Sequence, residues 1–175
     1  MRLKRDRHAA FNWTPYIQEP NIKNGIGGLR DFQTMRWKAL LNFGSPKIEA
    51  LMRRGLLSAA EYKALRRAFG FLLRVRNDLH FQTNRPTDVL DLENQPSVAE
   101  RLGFGGATEE ERVEAFMREV YKSFRAIDTL SKTARKRMGV RLPKDVLATM
   151  RQLGSRVPRN RKYEIDGFCA YRGEI

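Results

Sequence analysis

Three glycines in four positions, Gly25, Gly27 and Gly28, stand directly ahead of Leu29-Arg30-Asp31, with Lys23 two residues before them. A glycine-rich turn that feeds a helix can present backbone amides to an anion, and Lys23 and Arg30 add positive charge beside it. The chemistry such a set serves is phosphate binding. Two stricter versions are excluded. The run lacks the Gly-Lys-Ser/Thr ending of a P-loop, and Arg30 stands where a dinucleotide fingerprint has its third glycine. A tight connection between a strand and a helix accounts for the same glycines equally well.

Other reactive residue types are sparse. His8 and His80 are far apart and form no His-Glu-His ligand set; His80, beside an apolar helical stripe, reads as a packed or hydrogen-bonded histidine. Cys169, the single cysteine, has no evident partner base and reads as a small buried residue. It rules out an internal disulfide and a cysteine zinc cluster. Asp88, Asp91 and Glu93 are grouped in a loop-like stretch, where solvated acids are commoner than metal ligands. No catalytic nucleophile stands out.

The charge balance is 34 basic residues against 20 acidic, a formal +14. Such an excess points to an acidic partner such as nucleotide phosphates, nucleic acid or an anionic surface. Eleven Lys or Arg fall between Lys132 and Lys162 against one acid, Asp145. This run reads either as a solvated helix end and linker or as a phosphate or nucleic-acid surface. No stretch approaches the ~20 continuous apolar residues of a membrane span, and the charged N-terminus lacks the apolar run of a secretion signal. A cytoplasmic location is expected.

The elements that position these residues are mostly helical. Tyr16-Ile17-Gln18-Glu19 is expected as a short strand stopped by Pro20, and residues 24–28 as a loop. Asp31 is the expected N-cap of a helix whose apolar face is Phe32, Met35, Trp37, Leu40 and Leu41, ending at Gly44. Ser45-Pro46 is expected to open a short helix to about Arg54. Ser58-Ala59-Ala60-Glu61 is a capping box, followed by a stripe of Tyr62, Leu65, Phe69, Leu72, Val75 and Leu79 that runs to about Thr83. A second box, Thr108-Glu109-Glu110-Glu111, opens a helix with the stripe Val113, Phe116 or Met117, Val120, Phe124, Ile127 and Leu130, ending near Gly139. Residues 96–102 form a short helix between them, and a final helix is expected over 143–153. The last thirteen residues alternate like strands and stop in mid-pattern, so a C-terminal continuation is expected.

The fold class is therefore all-α: a helical bundle with two long antiparallel helices, a loop or short-strand lead-in and a β-like tail. Its divisions are 1–30, containing the glycine loop; 31–140, the bundle; and 141–175, a basic helix or linker and the start of a following domain.

The run from Glu19 to Asp31, Glu-Pro-Asn-Ile-Lys-Asn-Gly-Ile-Gly-Gly-Leu-Arg-Asp, with Thr34 and Trp37 behind it, resembles a signature of bacterial PII uridylyltransferases. Residues 55–58, 73–80 and 95–104 agree with the same family, as does Arg5-Asp6-Arg7-His8. The resemblance covers most of residues 2–138, and more faintly 167–175. It implies an enzyme that moves UMP from UTP to a tyrosine of the PII signal protein and removes it again. The family's Gly-Ser and Asp-x-Asp motifs are not found before Glu19, nor is its His-Asp domain present. The chain would then be the end of a nucleotidyltransferase domain plus the helical domain behind it, inactive alone, with the other domains of the enzyme, PII and UTP as partners. In the intact enzyme the resemblance makes Glu19 a candidate catalytic carboxylate and Mg²⁺ ligand, and Lys23, Gly27, Gly28 and Arg30 candidate phosphate-binding residues. No tightly bound cofactor is expected on this chain itself. Two other readings remain: a free-standing basic helical adaptor or nucleic-acid module, and the helical domain of a glutamine-synthetase adenylyltransferase, against which Gly-Gly-Leu-Arg-Asp argues.

Overall fold

A computed structural model describes residue 14, residues 16–139 and two short strands at 163–165 and 168–170. Five helices are described: α1 Leu29–Phe43, α2 Ile48–Arg53, α3 Ala59–Thr83, α4 Gln95–Arg101 and α5 Glu109–Arg137. The strands β1 Tyr163–Ile165 and β2 Phe168–Ala170 pair antiparallel, with Glu164 opposite Cys169. The expected helix at 143–153, most of the basic run, and Arg5 to His8 lie outside the described residues.

The capping chemistry sets the long helices. Ser58 Oγ accepts the Glu61 amide at 3.1 Å, and Glu61 Oε2 accepts the Ser58 amide at 2.7 Å, closing both halves of the box. At α5 the Thr108 hydroxyl accepts the Glu111 amide, but the return bond goes one residue further back, from Ala107 N–H to Glu111 Oε2 at 2.8 Å. α3 ends where Asn84 turns left-handed, and α5 ends before Gly139, also left-handed.

The apolar stripes meet in one core. Leu65, Leu72, Val75 and Leu79 of α3 are buried with Phe116, Val120, Phe124 and Ile127 of α5, and Phe32 and Met35 of α1 join them. Phe71, Phe104 and Phe116 pack edge to face, with centroids 5.3 to 6.4 Å apart. Phe32 stacks on Phe69 at 3.9 Å. Such pairs add about 0.5–1.5 kcal/mol each beyond the area they bury.

Four local expectations are corrected. Tyr16 to Glu19 form no strand: Ile17 O accepts from the Tyr121 hydroxyl and Gln18 O from Gln95 Nε2, so side chains rather than a neighbouring strand take these carbonyls. The N-cap of α1 is Gly28, and Asp31 lies inside the first turn, its carboxylate reaching back to the Gly27 amide at 3.0 Å. α2 begins at Ile48 rather than at Pro46, because Pro46 O is held by Arg36 Nε and Ser45 Oγ turns onto the Lys47 amide. Trp37, Leu40 and Leu41 are exposed; the buried side of α1 is Leu29, Asp31, Phe32, Met35 and Ala39.

Candidate functional site: a basic edge beside the glycine turn

The glycine turn is folded by its own backbone. Asn21 Oδ1 accepts the amides of Lys23 and Asn24, a side chain standing in for a turn carbonyl. Gly28 N–H donates to Gly25 O, Leu29 N–H to Ile22 O, and Arg30 N–H to Lys23 O. The glycines serve close approach. A Cβ on Gly27, whose φ is +75°, would lie 1.9 Å from Phe124 O on α5, and one on Gly28 would meet three carbonyl oxygens within 2.9 Å. The Gly27 amide goes to Asp31 and the Gly28 amide to Gly25 O, and both residues are buried. In this arrangement neither N–H points to an external phosphate.

The lead-in is also stitched to the loop that follows α3. Ile22 N–H donates to Asp88 O at 2.7 Å, Leu90 N–H to Pro20 O at 3.0 Å, and Asn21 bridges Val89. Gln95, 3% exposed, bonds Gln18 O at 2.8 Å and lies 3.3 Å from Leu90 O. Tyr121 lies against Tyr16, and burial raises its hydroxyl pKa.

These contacts place Asp88 among three basic side chains. Its carboxylate receives Arg76 Nε at 2.6 Å, lies 3.4 Å from Lys23 Nζ, and is 3.6 Å from His80 Nε2. Burial pushes the Asp88 carboxyl up, but the Arg76 hydrogen bond and the charges of Arg76 and Lys23 outweigh it and hold the group below its ordinary value. His80 Nε2 is buried without a hydrogen-bond partner. The solvated-acid reading of Asp88 is thus corrected: it is mostly buried and joins the lead-in to α3. Asp91 instead closes its own loop by accepting the Asn94 amide.

The residues expected to act are in different states. Lys23 is engaged by Asp88. Arg30, partly exposed, keeps a buried Nε with no hydrogen-bond partner. Glu19 is exposed and accepts the Leu92 amide at 3.1 Å. Among the described residues no three His, Cys, Asp or Glu side chains are grouped to hold a metal ion. Glu19 is already bonded to the Leu92 amide and Asp88 is engaged by Arg76 and Lys23, so the described residues here do not by themselves fit a Mg²⁺ site. The described start of the basic run is engaged too: Lys132 pairs with Asp128 at 2.7 Å, and Arg137 with Glu61 at 2.9 Å. No described helix is long and apolar enough to cross a membrane.

Asn21 and Gln95 were not singled out in the sequence. Asn21 had a readable signal, an Asn just before a glycine turn. Gln95 had none, since its role depends on a carbonyl 77 positions away.

Fold and site together define a helical domain clamped onto a glycine-turn lead-in, with one cationic edge. The chain belongs to the GlnD PII-uridylyltransferase family, whose family model matches residues 1–134. It is 32% identical over 176 aligned positions to a bifunctional uridylyltransferase/uridylyl-removing enzyme of Caulobacter vibrioides (strain NA1000 / CB15N), covering all of this chain and 19% of that protein. A protein of the same description from Xanthomonas campestris pv. campestris (strain B100) is 43% identical over 125 positions, 71% of this chain and 14% of the relative. One from Vibrio vulnificus (strain YJ016) is 40% identical over 129 positions, 74% and 15% respectively. The chain therefore spans about a fifth or less of the length of these relatives. No solved structure matches it.

Proposed function

We propose that this chain is the helical part of an enzyme that transfers UMP from UTP to a tyrosine of a PII protein and removes it again, and that it does not catalyse either step alone. The family match over residues 1–134 is the observation that carries this reading. In it, residues 1–30 close the nucleotidyltransferase domain, 31–140 form the bundle and 141–175 lead onward. The two long helices are taken as an antiparallel pair, supported by Arg137 at the end of α5 meeting Glu61 at the start of α3 while Phe71 meets Phe116.

The lead-in and basic edge form one wall of the transfer site. Arg30, partly exposed at the start of α1 beside the turn, is its phosphate-facing group. Lys23 sets the local charge, Gly27 and Gly28 fix the turn, and Glu19 holds the 88–95 loop in register. Mg²⁺ is bound by carboxylates elsewhere in the enzyme, with Glu19 at most adjoining them. A cytoplasmic enzyme with PII, UTP and its own other domains as partners completes the reading.

The test is to incubate the 175 residues with UTP, Mg²⁺ and a PII protein. No transfer is expected; robust uridylylation would refute dependence on other domains. In a full-length enzyme carrying this region, Arg30→Ala should raise KM for UTP more than it lowers kcat. An unchanged KM would remove Arg30 from the site.

A further inference from the structure

A groove of about 350 Å³ lies between α3 and α5. Small side chains open it: the buried Ala68 and Ser123 form its floor, and Ala64 and Ala126 line its sides. Its volume is at the lower end of the range for small-molecule sites. From Glu119 to Ala126 it follows α5 for roughly 11 Å, a short face for the interface that a stable protein partner needs.

Ser123 supplies a donor at the floor. It is 3% exposed, and its hydroxyl has no hydrogen-bond partner among the described residues. Thr34 and Thr83, also helical, each return their hydroxyl to the carbonyl four residues back. A buried hydroxyl that forgoes this bond and lines an open groove is free to serve a ligand.

The rims supply charge. Lys63 and Arg67 stand one turn apart on α3, and Lys122 faces the groove from α5. Lys63 and Arg67 are exposed and have no acidic partner among the described residues. Glu119, the acid among the described lining residues, lies 3.8 Å from Lys122, and both side chains reach solvent. A pair that long and that exposed holds Lys122 weakly. Three cations against one acid favour an anion, and the Arg67 guanidinium has the fork geometry that matches phosphate oxygens.

We propose that the α3–α5 groove binds the phosphate or diphosphate group of a small ligand, with Lys63 and Arg67 on one rim, Lys122 on the other and the Ser123 hydroxyl donating from the floor. The groove shares no residue with the basic edge beside the glycine turn, so it is a second anion site whatever reaction the intact enzyme performs.

The test is isothermal titration calorimetry of the 175-residue chain with sodium pyrophosphate at low salt, where screening is weak. A saturable site is expected. Arg67→Ala should weaken it about tenfold or more and Ser123→Ala severalfold, while Arg74→Ala, on α3 outside the groove, should leave it unchanged. Ala64→Leu fills the groove without altering a charge and should abolish binding. Ala64, Arg67 and Arg74 are exposed, so these three substitutions leave the core untouched. The absence of a saturable isotherm would overturn the proposal. So would binding that Arg74→Ala weakens as much as Arg67→Ala, or that Ala64→Leu leaves intact, since both mark diffuse attraction to a chain of net charge +14. A tetraglutamate peptide that binds more tightly than pyrophosphate and responds to the same substitutions would also overturn it, in favour of an acidic partner segment.

Discussion

Replacing Gly27 by alanine tests the clamp between the glycine turn and α5 directly. The left-handed φ of +75° costs an L residue about 1–2 kcal/mol. The added methyl would also lie 1.9 Å from Phe124 O, where ordinary contact begins at 3.4 Å, so the turn must lift by about 1.5 Å. The obstacle is a carbonyl within a packed helix, not the tip of a flexible side chain. Overpacking of this kind costs about 1–3 kcal/mol, which brings the total to about 2–5 kcal/mol, a large part of a typical domain's stability. Gly44 supplies the control, because its φ is +70° and nothing lies within 4 Å of an added Cβ. Gly44→Ala should therefore lose only the backbone cost, about 1–2 kcal/mol. Urea unfolding followed by far-UV circular dichroism measures both, with equal m-values as the condition for comparing midpoints. Equal losses in the two variants would refute the claim that Gly27 is required for approach to α5.

Asp88→Asn should destabilise the fold by about 1–2 kcal/mol, since it removes a charged acceptor from Arg76 and Lys23. Because the folded carboxyl titrates below its ordinary value of 3.8, its contribution is complete above that pH and is lost as pH falls through the folded value; denaturation curves across this window should flatten in the variant. Ser58→Ala removes one half of the α3 capping box and should cost about 1 kcal/mol by the same urea assay. Gln95→Leu leaves Gln18 O and Leu90 O without their donor, so hydrogen exchange should accelerate over residues 17–22 and 88–92 more than in the middle of α3.

What could be read in advance was what local chemistry determines. Ser58 with Glu61, and the three- and four-residue steps of Leu65, Leu72 and Val75, are complete within one helix, and they placed α3 correctly. The errors share a different origin. Asp31 is a good N-cap by type, yet the amide it serves belongs to a turn whose shape is imposed by contact with Phe124. Trp37, Leu40 and Leu41 match a helical period, but which side of α1 faces inward depends on where α3 and α5 stand. Asp88 looked like one of several loop acids because Arg76 and Lys23 approach it only after the chain folds back. On the basic edge, the identities of Lys23 and Arg30 were visible in the sequence, whereas the internal use of the Gly27 and Gly28 amides was not.

The bond from the Tyr121 hydroxyl to Ile17 O joins positions 104 apart, and the Gly27 contact with Phe124 closes a span of similar length. On a ribosome, the lead-in and glycine turn are synthesised well before the helix on which they rest. At ~5–20 residues per second the wait is roughly 5–20 s. For that time Ile22, Ile26 and Leu29, all buried in the finished fold, have no partner on α5. The nascent chain therefore carries this segment without its α5 support while about a hundred further residues are made, a period in which a chaperone that shields short apolar stretches would find its target between residues 17 and 32.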